Sequence, residues 1–491
     1  MRFHFVDSNR TDDVVVRRQI RSHVAKGRNA GKKLNRPSRK RGTGSGPGSV
    51  QGEDSARPPI LTLVPLSFLP THWKKVQKSR SEGLALIQRA ILFIGGLRSF
   101  PELNAALDYR EELGSLWVQP MFLDEAYFHG AMALFIAGLK SPADNTHATA
   151  QAQHMCWALR MINARLSGAN AAAKENIAVI LTLGMYERYD GNYCRSLVHL
   201  DGLQRIVEMR GGIAELARTS PLLTMGMFRA DLECSLYLNT PTRFTVRDVE
   251  QVTAGNRIIS SLSENFTTPS ASPLPSSLLV HPVLAALLRQ ATHISRLLNT
   301  ASQPTDQKLN SLHVHDTFIL LGYRLQALLP LLRVRDGGIA AQRLAAALPT
   351  SHRDGSRTEE EALCLGLTAF VVSTLRGGGC GKMNSGPIGW VRDGARSLGR
   401  LTSTTIGNSW EWELALWLTF IGVGAQVFHE RDIEEWAVPK VTECMAALGL
   451  KTWEDVVNVL REWPWVDALH RRAGMNLWER FRALSLHSSG D

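Results

Sequence analysis

Apolar residues recur at three- and four-residue spacing through most of the chain from about Ile60 onward, and this pattern constrains the fold more than any other feature. Such spacing places side chains on one face of an α-helix. The first segment of this kind contains Leu84, Ile87, Ile91 and Ile94. Segments of strict apolar and polar alternation are scarce, and no βαβ rhythm is present. The sequence therefore predicts an all-α body, in which a large multi-helix domain follows a separate N-terminal arm.

Residues that typically begin or end helices divide this pattern into successive helices. Asp124 is a predicted N-cap, and Ser141-Pro142 ends the helix after it. Arg210-Gly211-Gly212 supplies a glycine terminator, and Ser220-Pro221 opens the next helix. Residues 263–277 form a long polar loop. Helical periodicity also extends over 154–166, 174–189, 196–209, 283–298, 315–332, 359–375, 410–428, 438–448, 452–460 and 475–484.

Positive charge is concentrated near the N-terminus. Residues 1–60 carry fourteen Lys or Arg and five Asp or Glu, a net charge of +9, whereas the remaining residues carry 42 and 40, a net charge of +2. Residues 42–59 are rich in Gly, Ser and Pro, which is typical of a flexible linker. We therefore predict a basic, partly disordered arm over 1–41, a linker over 42–59 and a helical domain over 60–491.

The arm contains eleven basic residues and no acidic residue between positions 17 and 41. They are Arg17, Arg18, Arg21, Lys26, Arg28, Lys32, Lys33, Arg36, Arg39, Lys40 and Arg41. Such a row of charges is typical of a nuclear import signal and can also contact phosphates. Phosphate contacts carry no base information, so we expect only weak, non-specific binding to nucleic acid. The alternative is a solvated tail without a partner. We predict nuclear localisation, an import receptor as partner, and no membrane partner.

The cysteine pattern argues against a metal site and against a disulfide framework. The six cysteines are Cys156, Cys194, Cys234, Cys364, Cys380 and Cys444. No CxxC motif occurs, and no Cys or His cluster has the spacing of zinc ligands. We therefore expect buried thiols, no bound metal and no cofactor.

No motif in the chain indicates catalysis. The glycine-rich segment 376–383 has Arg376 where a phosphate-binding loop needs its first glycine, and Met383 where it needs Ser or Thr. No pair of carboxylates in an apolar setting suggests a general acid and base. Mixed charges at 429–435 indicate a solvated helix start. The sequence therefore favours a protein that is not an enzyme.

Two further sets of residues have structural interpretations. Eight of the twelve tryptophans follow position 409, and we expect them to fill a C-terminal core. The alternative is that residues 461–467 present an aromatic edge to a partner. We also expect structural ion pairs between helices. They would form among Arg205, Arg210, Arg243, Asp201 and Asp231.

Four segments carry a resemblance to a known family. The arm segment FHFVDSNRTDDVVVRRQIRSHVAKGRNAGKK is followed by CRSLVHLDGLQRIVEMRGGI (194–213) and RADLECSLYLNTPTRF (229–244). The last segment consists of LWLTFIGVGAQVFHERDIEEW (416–436) and LGLKTWEDVVNVLREWPWVDALHRRAGMNLWERF (448–481). Taken in order, they resemble filamentous-fungal proteins related to the fungal-specific transcription factors.

The resemblance implies an all-helical regulatory domain in a nuclear regulator of transcription. Many members of the family carry a zinc binuclear cluster, in which six closely spaced cysteines hold two zinc ions. Here the cysteines are spread over 156–444, so we expect no zinc-cluster DNA reader. The implied partners are then proteins, a zinc-cluster regulator among them, or a small effector. Two other hypotheses stay open: a helical interaction scaffold with no transcriptional role, and an enzyme built in a helical cavity.

Overall fold

The fold is built from α-helices, as the apolar periodicity predicts. A computed structural model describes residues 80–96, 101–109, 112–139, 148–256, 258–259, 280–303, 307–333, 354–376, 389, 391 and 409–488. All of them belong to one compact unit, Gln77–Asp491. The predicted arm, the linker at 42–59 and the polar loop at 263–277 lie outside the described residues.

The N-terminal half of the described chain contains nine helices. They are α1 (Arg80–Gly96), α2 (Glu112–Leu123), α3 (Glu125–Gly138), α4 (Ala148–Leu166), α5 (Lys174–Tyr189), α6 (Tyr193–Met209), α7 (Ile213–Thr219), α8 (Pro221–Leu238) and α9 (Val246–Thr253). A 3-10 turn covers Pro101–Leu103, and a two-residue strand β1 covers Leu107–Asp108.

The C-terminal half continues the helical array. Its helices are α10 (Pro282–Ala301), α11 (Ser311–Arg333), α12 (Asp354–Arg376), α13 (Ser409–Gly424), α14 (Glu430–Asp432), α15 (Val438–Leu448), α16 (Trp453–Glu462) and α17 (Asp467–Ser488). A second two-residue strand, β2 (Leu309–Asn310), pairs in parallel with β1, so that Leu107 lies opposite Leu309.

Helix α8 lies at the centre of the described body. It contacts α5, α6, α7, α11 and α12, and every residue from Leu223 to Leu236 is buried. A helix that is enclosed on all sides must place its polar side chains in the interior as well. This explains why several of the buried charged residues of the fold come from α8.

The predicted helix boundaries are confirmed at three points. Asp124 Oδ1 accepts a hydrogen bond from the Tyr127 amide at 3.0 Å. Gly211 and Gly212 follow α6 with φ angles of +94° and +97°, a region that favours glycine. Pro221 begins α8, although the hydroxyl of Ser220 makes no capping hydrogen bond.

A π-helical segment, Ile433–Ala437, separates α14 from α15. Pro439 has no amide hydrogen to donate to the carbonyl four residues earlier. The Val438 amide instead donates to the carbonyl of Ile433, which closes a wider turn. Pro439 thus lies directly after the irregular stretch, in the first turn of α15.

Five of the eight C-terminal tryptophans are buried in the core, as predicted, and they are Trp417, Trp453, Trp463, Trp465 and Trp478. Trp410, Trp412 and Trp436 are only half-buried, so the prediction holds in part. Trp417 and Trp463 stack with ring centroids 5.3 Å apart, and the Trp417 indole donates to the carbonyl of Pro464 at 2.9 Å. Trp463 and Trp465 are both 0% exposed. The alternative of an aromatic edge open to a partner is therefore wrong for these two rings.

Cysteine burial is mixed. Cys234, Cys364 and Cys444 are buried, but Cys156 and Cys194 are exposed, so the expectation of buried thiols is wrong for two of the five described cysteines. Both exposed thiols lie on the outer faces of amphipathic helices, where a small side chain needs no enclosure. Within the described ranges, no helix combines the length and the apolar character that a bilayer span requires.

Candidate functional site

The eleven basic residues proposed for import or phosphate contact, from Arg17 to Arg41, all lie outside the described residues. Their role therefore stays a prediction from the sequence. The structure instead brings together buried polar residues that the sequence did not reveal as a group.

A cluster of ionised side chains lies in the core beside α8. The Glu233 carboxylate on α8 accepts a hydrogen bond from Arg188 Nε of α5 at 2.9 Å. Its other oxygen accepts one from Arg229 Nε of α8 at 2.7 Å. The side chains of Arg188, Arg229 and Glu233 are 2%, 8% and 8% exposed. We call these three residues the central ion cluster.

The central ion cluster reaches three further helices. Arg188 Nη1 donates to Ser196 Oγ of α6 at 2.8 Å. Arg229 Nη2 donates to the carbonyl of Leu375, in the last turn of α12. Arg229 Nη1 also lies 3.4 Å from His315 Nε2 of α11. The cluster therefore connects five helices, from α5 to α12.

The electrostatics of the cluster are unbalanced, with two guanidinium groups for one carboxylate. Arg229 and Glu233 are four residues apart on α8, which is the spacing of a helical ion pair. The surplus positive charge faces the C-terminal carbonyls of α12, where the helix dipole is negative. Burial, with a contribution from the nearby Arg188 charge, lowers the pKa of His199 to about 4. The Glu233 carboxylate therefore offsets only part of the positive charge of the two guanidinium groups.

A second buried carboxylate, Asp231, organises the loop after α8. It accepts hydrogen bonds from the amides of Arg243 (2.9 Å) and Phe244 (3.1 Å) and from the Tyr323 hydroxyl (2.8 Å). Burial raises the pKa of Asp231, although these donors and the Arg243 charge oppose that shift. The arrangement fixes the loop geometry and places Phe244 in the core.

The predicted interhelical ion pairs are only partly correct. Arg243 Nε donates to Asp201 Oδ1 at 2.6 Å, which confirms one pair, although Arg243 lies in the loop after α8 and not on a helix. Asp231 binds backbone amides and a tyrosine instead of a guanidinium, because the loop after α8 folds back over it. Arg210 Nη1 donates to the carbonyl of Ala172 at 2.7 Å. Arg205 is exposed.

Two histidines form a buried pair between α3 and α4. His129 Nδ1 and His154 Nδ1 are 2.8 Å apart, and the rings are 2% and 5% exposed. Trp157 packs against both imidazoles. Burial, followed by the neighbouring His129, lowers the pKa of His154 to about 4. One ring therefore donates to the other, and the pair belongs to the core. No local sequence pattern pairs these histidines, since they are 25 positions apart.

A small crevice opens between α10 and α11. It has a volume of about 280 Å³ including open solvent, and it is lined by Ile259, Gln290, Ile294, Thr317, Leu320, Leu321 and Arg324. The Arg324 guanidinium is already engaged by Glu250 Oε1 at 2.7 Å and Gln290 Oε1 at 3.2 Å. The crevice therefore offers a mostly apolar floor and a charge that is already paired.

One carboxyl on the same helix titrates near neutral pH. Burial alone raises the pKa of Asp316 on α11 to about 7. In the part of the chain that the structure describes, no group of three or more His, Cys, Asp or Glu side chains is arranged to hold a metal ion. The polar side chains that the fold brings together thus act mainly on one another.

The chain was compared with models of protein families, with curated proteins and with solved structures. None of the three comparisons found a match. The resemblance to the fungal-specific transcription factors therefore rests on the sequence segments alone.

Proposed function

We propose that this chain is a nuclear regulatory protein, similar to the fungal-specific transcription factors but without a zinc-cluster DNA reader. In this proposal the helical body acts through protein partners or a small effector, and the basic arm delivers it to the nucleus. The observation that carries the proposal is the separation of charge, with +9 on residues 1–60 and +2 on all the rest.

The separation of charge supports an external partner for the arm. A cation that is paired inside a fold has little left to offer a partner, and the central ion cluster shows cations used in this way. Residues 17–41 contain no acidic residue that could neutralise their eleven cations locally. A short segment that carries only positive charges suits an import receptor, which reads a row of point charges.

In this proposal a protein partner recognises the DNA sequence. Phosphate contacts from the arm would be independent of DNA sequence and strongly dependent on salt. A zinc-cluster regulator that binds the helical body would supply the specificity that the arm lacks. The all-α fold of the body suits such a partner, because helix faces are common docking surfaces.

Nuclear accumulation of the full chain, fused to a fluorescent protein, tests the arm. In one variant all eleven basic residues between Arg17 and Arg41 are replaced by Gln. In the matched control every Lys among them becomes Arg and every Arg becomes Lys, which keeps the charge. We expect the Gln variant to lose nuclear accumulation and the control to keep it. Undiminished accumulation of the Gln variant would refute the role of the arm.

A helical scaffold with no transcriptional role is the second candidate. The internal use of polar groups in the core is compatible with a stable binding platform, and it suits a regulator equally well. Chromatin association of the intact protein separates the two candidates. A protein that is nuclear but not retained on chromatin, with or without the arm, would favour the scaffold.

A further inference from the structure

We draw no further inference here: the strongest candidate, the buried His129–His154 pair between α3 and α4, holds its facing Nδ1 atoms 2.8 Å apart with ring centroids 5.0 Å apart, which is the geometry of one shared proton between two satisfied core imidazoles and leaves no position where both nitrogens could meet a ligand.

Discussion

The unequal charge of the central ion cluster makes Glu233 its most sensitive member. Replacing Glu233 with Gln leaves Arg188 and Arg229 buried without a counter-ion. Breaking a buried ion pair by removing one partner costs about 3–5 kcal/mol. Glu233 also accepts two charge-assisted hydrogen bonds, at 2.9 and 2.7 Å, and Gln can replace only one of these acceptors. We therefore expect Glu233→Gln to lower the free energy of unfolding by about 4 kcal/mol.

Removing one of the two cations should cost less. In Arg229→Met, the Arg188–Glu233 pair stays intact as one cation for one anion. The variant loses two hydrogen bonds, to the Leu375 carbonyl and to Glu233 Oε1, and each unsatisfied buried acceptor costs about 1–3 kcal/mol. We expect a destabilisation of about 3 kcal/mol, less than that of Glu233→Gln because no buried charge is left without a counter-ion.

Urea unfolding followed by circular dichroism measures both variants. The matched control is Glu462→Gln, which removes a surface pair with Arg296 whose side chains are 39% and 59% exposed. Exposed pairs contribute about 0–1 kcal/mol, so the control should unfold almost like the wild type. If Glu233→Gln were no more destabilising than the control, or less destabilising than Arg229→Met, the electrostatic reasoning would be wrong.

Three further predictions concern other parts of the body. The pKa of Asp316, raised from 3.8 to about 7, means that the fold holds this proton more tightly than the unfolded chain. The free energy of unfolding should therefore fall as the pH rises from about 4 to about 7. Asp316→Asn should abolish this pH dependence. At about 1.4 kcal/mol per pKa unit, it should also stabilise the protein by up to about 4 kcal/mol at pH 8. Urea unfolding at several pH values measures this, and the same pH dependence in the variant and the wild type would contradict the prediction. In Gly366→Ala the new Cβ would lie 2.2 Å from Trp417 Cζ3, so we expect a loss of about 3 kcal/mol in thermal unfolding. In the control Gly255→Ala the new Cβ would have nothing within 4 Å, so the melting temperature should stay unchanged. If both variants lost a comparable amount of stability, the packing argument would be wrong. Thr452→Ala removes the capping box of α16 and should lower the free energy of unfolding by about 1 kcal/mol. An unchanged free energy of unfolding would refute this prediction.

Helix positions could be predicted from the sequence because the signals are local. The periodicity over 174–189 predicts a helix with the same bounds as α5, Lys174–Tyr189. The glycines after α6 and the proline that begins α8 act within one turn of their own position. The sequence predicts helix ends less well, because the pattern over 475–484 covers only part of α17, Asp467–Ser488.

The buried polar contacts could not be predicted, because they depend on which helix faces meet. Arg188 and Glu233 are 45 positions apart, and neither the spacing nor the composition pairs them. Asp231 looks like an ion-pair partner in the sequence, but it binds backbone amides of a loop whose path only the fold determines. The π-helical stretch before α15 also needed the structure, although the adjacent Pro439 is visible in the sequence.

The short pairing of β1 with β2 has a consequence for synthesis on the ribosome. Leu107 and Leu309 are 202 positions apart in the chain, and they lie opposite each other in the only strand pairing among the described residues. Ribosomes add about 5–20 residues per second. About 10–40 seconds therefore pass between the synthesis of β1 and that of β2. During that time the earliest helices can pack only against each other. A chaperone that shields them should matter most in this interval.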